Sequence, residues 1–199
     1  MSRKSETTLK LKEKTGKGEE EEEEIMGEEE QQQLVRWEGK LSATIGGATA
    51  DQVWPLVADF CSLDRWFPSV HTCRLEGGVA GEPGCVRYTA GKGIESAEGE
   101  GVAWARERLV SIDRAGRKLS YEITENNIGW GQYEAEMEVI EGGGMTEDGG
   151  GCRIEWLFRM EPVEGGSEEG VAAYLGHTLE EMAKRMEKFL LHTPGGAQE

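Results

Sequence analysis

Residues 102–112 read Val-Ala-Trp-Ala-Arg-Glu-Arg-Leu-Val-Ser-Ile. Side chains alternate across an extended strand, so this stretch sorts into two faces. One face holds Val102, Trp104, Arg106, Arg108, Val110 and Ile112, and the other holds Ala103, Ala105, Glu107, Leu109 and Ser111. The second face is small and apolar except for Glu107, so a carboxylate falls on a face suited to burial.

Working outward, the same alternation returns on both sides. Towards the C-terminus, Leu119, Tyr121 and Ile123 share a face, then Tyr133, Ala135, Met137 and Val139 against Gln132, Glu134, Glu136 and Glu138, then Cys152, Ile154, Trp156, Phe158 and Met160. Towards the N-terminus, extended segments are expected at His71–Leu75 and Cys85–Thr89, and Trp37, Gly39, Leu41, Ala43 and Ile45 alternate with Glu38, Lys40, Ser42 and Thr44. Thr49 with Gln52 three residues on is a capping-box signature, followed by Val53, Trp54, Val57 and Phe60 at helical spacing. Pro55 should kink or shorten that helix, and a second helical turn over Leu63–Phe67 should stop at Pro68. Last come Val171, Leu175, Thr178, Leu179, Met182, Met186, Phe189 and Leu190, the apolar stripe of a long amphipathic helix. One strand, a short helical pair, six strands and a long terminal helix make an α+β chain, in which a curved seven-stranded antiparallel sheet can grip the helix around an internal cavity.

Residues 1–33 hold six Lys/Arg against eleven Glu, including the run Glu19–Glu24. Such a segment cannot bury enough apolar surface to offset its ordering entropy, so a disordered acidic tail is expected there. The domain then spans 34–192, with residues 193–199 a disordered C-terminus. The rest of the chain still carries −12 of the formal −17. That charge argues against nucleic acid as a partner, because phosphate recognition needs clustered Lys and Arg. No apolar run approaches a membrane span, and the N-terminus lacks an apolar secretion region, so a cytoplasmic address without membrane insertion is expected. Four cysteines at 61, 73, 85 and 152 show no CxxC spacing and read as reduced thiols rather than metal ligands. His71, His177 and His192 receive no role, and neither a metal nor a cofactor is called for. Glu141–Gly151 reads as a flexible hairpin connection. Oligomeric state is not legible.

Arg87 lies on the Cys85 and Thr89 side of its strand, one segment before Glu107, so the two can meet as antiparallel neighbours. Burial raises a carboxyl pKa and a nearby guanidinium lowers it. The pair reads in two ways: a proton-exchanging Glu107 with Arg87 holding an oxygen-bearing substrate, or a satisfied internal ion pair that fixes the sheet. Tyr121 and Tyr133 add hydroxyls to apolar faces. Ala105, Leu109, Met137, Trp156, Phe158, Leu175 and Met182 are the expected apolar lining for a small hydrophobic metabolite.

Several motifs then take on a resemblance: Arg36-Trp37-Glu38-Gly39-Lys40-Leu41, Gly84-Cys85-Val86-Arg87-Tyr88, Trp104-Ala105-Arg106-Glu107-Arg108-Leu109-Val110, and Thr124-Glu125 with Tyr133 downstream. From Trp37 to Leu190 the chain resembles the plant lachrymatory-factor synthases. They belong to the superfamily of START-like, birch-pollen-allergen-like (Bet v 1-like) and polyketide cyclase proteins (SRPBCC), whose helix-grip fold the resemblance implies. It also implies a cofactor-free isomerisation of an alkenyl sulfenic acid to a thial S-oxide, with Arg87 and Glu107 as the essential pair, Tyr133 beside them as a catalytic residue and Tyr121 as a cavity tyrosine. The departures are the acidic tail, Pro55, a longer connection over Lys92–Gly101 and the Gly-rich hairpin. The abscisic acid receptors share the grip, but Lys92-Gly93-Ile94-Glu95-Ser96 and Gly129-Trp130-Gly131 stand where their gate and latch would fall. Two function classes stay open: an isomerase or cyclase working through Glu107 and Arg87, and a non-catalytic carrier or sensor of a small apolar metabolite. A scaffold that recruits a partner through its acidic tail is a third.

Overall fold

The computed structural model describes residues 35–91, 101–142 and 150–192. The expected tail over 1–33, the C-terminus from 193 and most of the two Gly-containing connections lie outside the described residues. The elements run β1 (Trp37–Gly46), α1 (Ala50–Ala58), a 3-10 turn (Leu63–Arg65), β2 (Val70–Gly77), β3 (Val86–Gly91), β4 (Ala103–Asp113), β5 (Lys118–Asn126), β6 (Tyr133–Glu141), β7 (Gly151–Met160) and α2 (Glu168–His192). All seven strands form one antiparallel sheet in the order β1-β7-β6-β5-β4-β3-β2. Consecutive strands from β2 to β7 are neighbours, and β1 closes onto β7 from the other end of the sequence.

Thr49 caps α1 as its sequence signals, its side chain accepting from Gln52 N while the Gln52 side chain accepts from Thr49 N. Pro55 does not stop the helix. The chain stays helical to Ala58, and the Asp59 N–H donates to the Pro55 carbonyl at 3.2 Å. The proline removes one donor, and burial of Val53, Trp54 and Val57 on the core side offsets that loss.

The 25 residues of α2 bury Leu175, Thr178, Leu179, Met182, Ala183 and Met186 along one stripe. Against that stripe lie Ile154, Trp156, Phe158 and Met160 of β7 and Leu119, Tyr133, Ala135, Met137 and Val139 of β5 and β6. Full burial of a large apolar side chain contributes about 1.5–3 kcal/mol, so the stripe alone fixes the helix on the sheet. Glutamates of α2 also reach the edge strand: Glu168 Oε1 accepts from Glu38 N at 2.9 Å and Glu187 Oε1 from Gly46 N at 3.1 Å. These contacts satisfy backbone donors that an edge strand otherwise leaves to solvent. The outer face of the sheet is polar and paired, for example by Arg106 with Glu76 and Glu125. Glu155 belongs to that face by its parity, yet it is buried beneath Lys40 and Arg153, which both bond it.

Candidate functional site

Arg87 and Glu107 stand directly opposite each other in the β3–β4 register. Antiparallel partners point to the same face, so both side chains enter the interior, where Arg87 is 4% and Glu107 8% exposed. Arg87 Nε donates to Glu107 Oε2 at 2.5 Å, and Arg87 Nη1 donates to the Phe60 carbonyl at 2.6 Å. The guanidinium also lies 3.8 Å from the Phe60 ring centre and 5.2 Å from that of Tyr121. The segment after α1 therefore holds the back of the pair through a backbone oxygen and an aromatic face. Burial opposes charge on Arg87, but the facing Glu107 carboxylate, helped by the Tyr121 hydroxyl, outweighs it and raises the guanidinium above its ordinary value.

A cavity opens in front of Glu107. Its volume is about 90 Å3. Glu107, Ala105, Tyr121, Tyr133, Trp156 and Leu175 all line it. Its floor is the sheet, one wall is α2, and the 3-10 turn with Phe67, Ser69 and Val70 covers the mouth. Across that mouth Ser69 Oγ and Tyr174 Oη share a hydrogen bond at 3.3 Å. Gly91 allows this cover to settle, since a Cβ there would stand 1.7 Å from the Ser69 carbonyl oxygen.

Two polar atoms in the wall make no hydrogen bond within 3.5 Å among the described residues: Tyr133 Oη and Trp156 Nε1, on residues each 2% exposed, which lie near each other and near the Tyr121 hydroxyl at longer range. A buried donor without a partner is costly, so a site that keeps two beside a carboxylate is suited to an acceptor atom brought by a ligand. Burial raises the Tyr133 phenol well above its ordinary value, and the neighbouring Tyr121 pushes the same way. Burial raises Tyr121 as well, helped by the Glu107 charge. Both phenols are therefore O–H donors at neutral pH.

Of the residues expected as lining, four lie elsewhere. Leu109 is fully buried opposite Tyr121, two register pairs from Glu107, and does not border the cavity. The Phe158 ring fills the space over Gly39, where a Cβ would stand 2.5 Å from Phe158 Cε1, so it packs towards β1. Met137 and Met182 line a smaller chamber behind Phe60, and Arg87 borders that chamber rather than the main cavity. Sequence reasoning missed the mouth residues Phe67, Ser69, Trp130 and Tyr174. Tyr174 was within reach, since it stands one position before Leu175 in the helical stripe, but the loop residues carry no periodicity. Trp104, which parity puts on the outer face, is the second residue of β4 and also lines the cavity; it stacks on Tyr88 at 6.0 Å.

Residues 36–188 match the model of a family described as polyketide cyclase / dehydrase and lipid transport. The chain belongs to this family. Two solved structures have a similar fold. The protein XoxI from Bacillus cereus is 24% identical, with 78% of this chain and 96% of that one covered at a TM-score of 0.60. An uncharacterised protein from Bacillus thuringiensis is likewise 24% identical, with 77% and 98% covered at 0.58. Membership establishes the helix-grip architecture and the family's association with small hydrophobic ligands; the solved relatives are bacterial. Among the described residues, no three His, Cys, Asp or Glu side chains converge as a metal site, and no helix is long and apolar enough to cross a membrane.

Proposed function

We propose that this family member binds a small, largely apolar molecule through one acceptor oxygen and rearranges it by moving a proton through Glu107, as a cofactor-free isomerase or cyclase. The observation that supports this reading is the pairing, within one cavity, of a carboxylate held from behind by Arg87 with two buried donors, Tyr133 Oη and Trp156 Nε1, that make no hydrogen bond within 3.5 Å among the described residues. The donors would hold the ligand oxygen and stabilise negative charge that develops on it. Glu107 would accept a proton from one ligand atom and return it to another, so no electrons are gained or lost. Arg87 acts as a positioning residue, fixing one carboxylate oxygen and leaving the group aimed at the cavity.

The resemblance to lachrymatory-factor synthases supplies a concrete case. In a 1-alkenyl sulfenic acid the S–O–H proton would pass to Glu107 while the sulfenate electrons form the C=S bond and the C=C pair moves to the distal carbon. Return of the proton to the distal carbon gives the thial S-oxide with every atom conserved. The test is turnover of 1-propenyl sulfenic acid, generated in situ, by the wild type and by Glu107→Gln, monitored for the thial S-oxide. Product from the wild type alone supports proton transfer through Glu107; equal turnover by the variant refutes it.

A second reading, a non-catalytic carrier or sensor, is favoured by the predominance of alanine, leucine, isoleucine and aromatic side chains in the lining. The two separate on the same variant: a carrier loses affinity when Glu107 becomes Gln, whereas an enzyme loses turnover and keeps most of its affinity.

A further inference from the structure

Behind the main cavity lies a second chamber that the proton-transfer reading does not use. It holds about 20 Å3 between α1, the 3-10 turn, the sheet and the later turns of α2. Leu63, Phe67 and Tyr121 line both spaces, so the two are separated by single side chains rather than by a layer of core. Phe60 forms the partition with Tyr121, their rings 5.9 Å apart, and Arg87 crosses it. Its Nε serves Glu107 on the cavity side, while its guanidinium also borders the inner chamber.

Met137, Met182 and Met186 supply the apolar wall of the chamber. Methionine is unbranched and adapts to what it packs against, so such a wall yields to an inserted chain more readily than Leu or Ile would. Trp66 also lines the chamber; the residue is 5% exposed and its Nε1 meets no hydrogen-bond partner among the described residues. A purely apolar tail would leave that donor unmet. A space of this size takes a single acceptor atom, at the end of a chain that has passed Phe67 and Tyr121.

We infer that the inner chamber is the far end of the ligand site and that the ligand is a linear molecule oxygenated at both ends, one oxygen at Tyr133 and Trp156, the other at Trp66, with an apolar stretch between. This inference rests on the proposed reading of the main cavity. It gives the inner chamber a separate role in selectivity, because chain length and the second oxygen are read there and not at Glu107.

The experiment uses the full chain and two homologous probe series, straight-chain 2-alkanones and the hydroxyalkanones that carry a terminal hydroxyl at the other end. Affinity is measured by titration, with the tryptophan indole N–H signals and the methionine methyl signals followed by NMR. At one chain length the terminal hydroxyl is expected to tighten binding by about 5- to 10-fold, the worth of one buried hydrogen bond. That gain should coincide with movement of the Trp66 indole signal and of the Met182 and Met186 methyl signals. In Trp66→Phe, which keeps an aromatic ring and removes the N–H, the difference in affinity between the hydroxyalkanone and the 2-alkanone of the same length should vanish. A hydroxyl without benefit at any length, a benefit that survives Trp66→Phe, or a Trp66 signal that never moves overturns the inference and leaves the main cavity's reading intact. If neither series moves the Trp156 indole signal, the reading of the main cavity fails and this inference fails with it.

Discussion

Arg87→Met and Glu107→Gln, singly and together, test whether the buried pair is one energetic unit. In Arg87→Met the Glu107 carboxylate, 8% exposed, loses its counter-charge, and the Phe60 carbonyl loses its donor. Breaking a buried pair from one side typically costs 3–5 kcal/mol, so about 4 kcal/mol is expected. Glu107→Gln keeps an oxygen that can accept from Arg87 Nε but removes the charge, and about 2 kcal/mol is expected. The double variant leaves no uncompensated charge, so it should lose about 3 kcal/mol in all, a coupling of about 3 kcal/mol against the sum of the singles. Urea unfolding followed by tryptophan fluorescence reads these values, since the chain has six tryptophans and Trp66 and Trp156 are in the core. A coupling below about 0.5 kcal/mol would mean that the two residues act independently, and the argument that Arg87 sets the position of Glu107 would be wrong.

Thr49→Ala removes the capping box of α1 and should cost about 1 kcal/mol, visible as a fall of about 2–4 °C in Tm. Gly91→Ala forces a Cβ against the Ser69 carbonyl, so the mouth cover must shift; the expected result is a loss of the Ser69–Tyr174 hydrogen bond and changed amide shifts across 67–70 in NMR spectra, and unchanged spectra refute the placement. The bonds from Lys40 and then Arg153 hold the Glu155 carboxyl below the usual carboxylate range. A depressed folded pKa means that the stabilisation is present above the unfolded carboxyl value and is lost as pH falls through the folded one. Glu155→Gln should therefore be more destabilising at pH 7 than at pH 3. Burial pushes the Cys61 and Cys152 thiols up to about 11, so iodoacetamide at pH 8 should label them about 100-fold more slowly than ordinary thiols, as peptide mapping by mass spectrometry would show.

The strands and the long helix were legible because burial imposes a period on them. Tyr133, Ala135, Met137 and Val139 alternate with glutamates, and each of the four is buried as the alternation requires. The meeting of Arg87 with Glu107 followed from the same parity together with the adjacency of their strands. Depth along the barrel-like curve did not follow, since parity states which face a residue occupies and not how far from the mouth it lies. Leu109 and Phe158, inward by parity, lie away from the lining of the main cavity for that reason. The donors without partners were illegible too, because a tryptophan on an inward face looks the same in sequence whether its N–H is met or not. Pro55 predicts a kinked or shortened helix, and α1 is indeed short, ending at Ala58 before Phe60, while the packing of Trp54 and Val57 carries it past the proline.

The pairing of β1 with β7 has a consequence in time. Gly46 meets Gly151 and Trp37 meets Met160, so the first strand waits for partners more than a hundred residues later in the chain. At a synthesis rate of about 5–20 residues per second, β1 would stand unpaired for about 5–20 s on the ribosome before its neighbour emerges. The carboxylates that cover its outer edge, Glu168 and Glu187, come later still. Closure of the sheet is thus a late, long-range event, of the kind that folds slowly. Chain loss from the C-terminal helix would expose the first strand as well as the last.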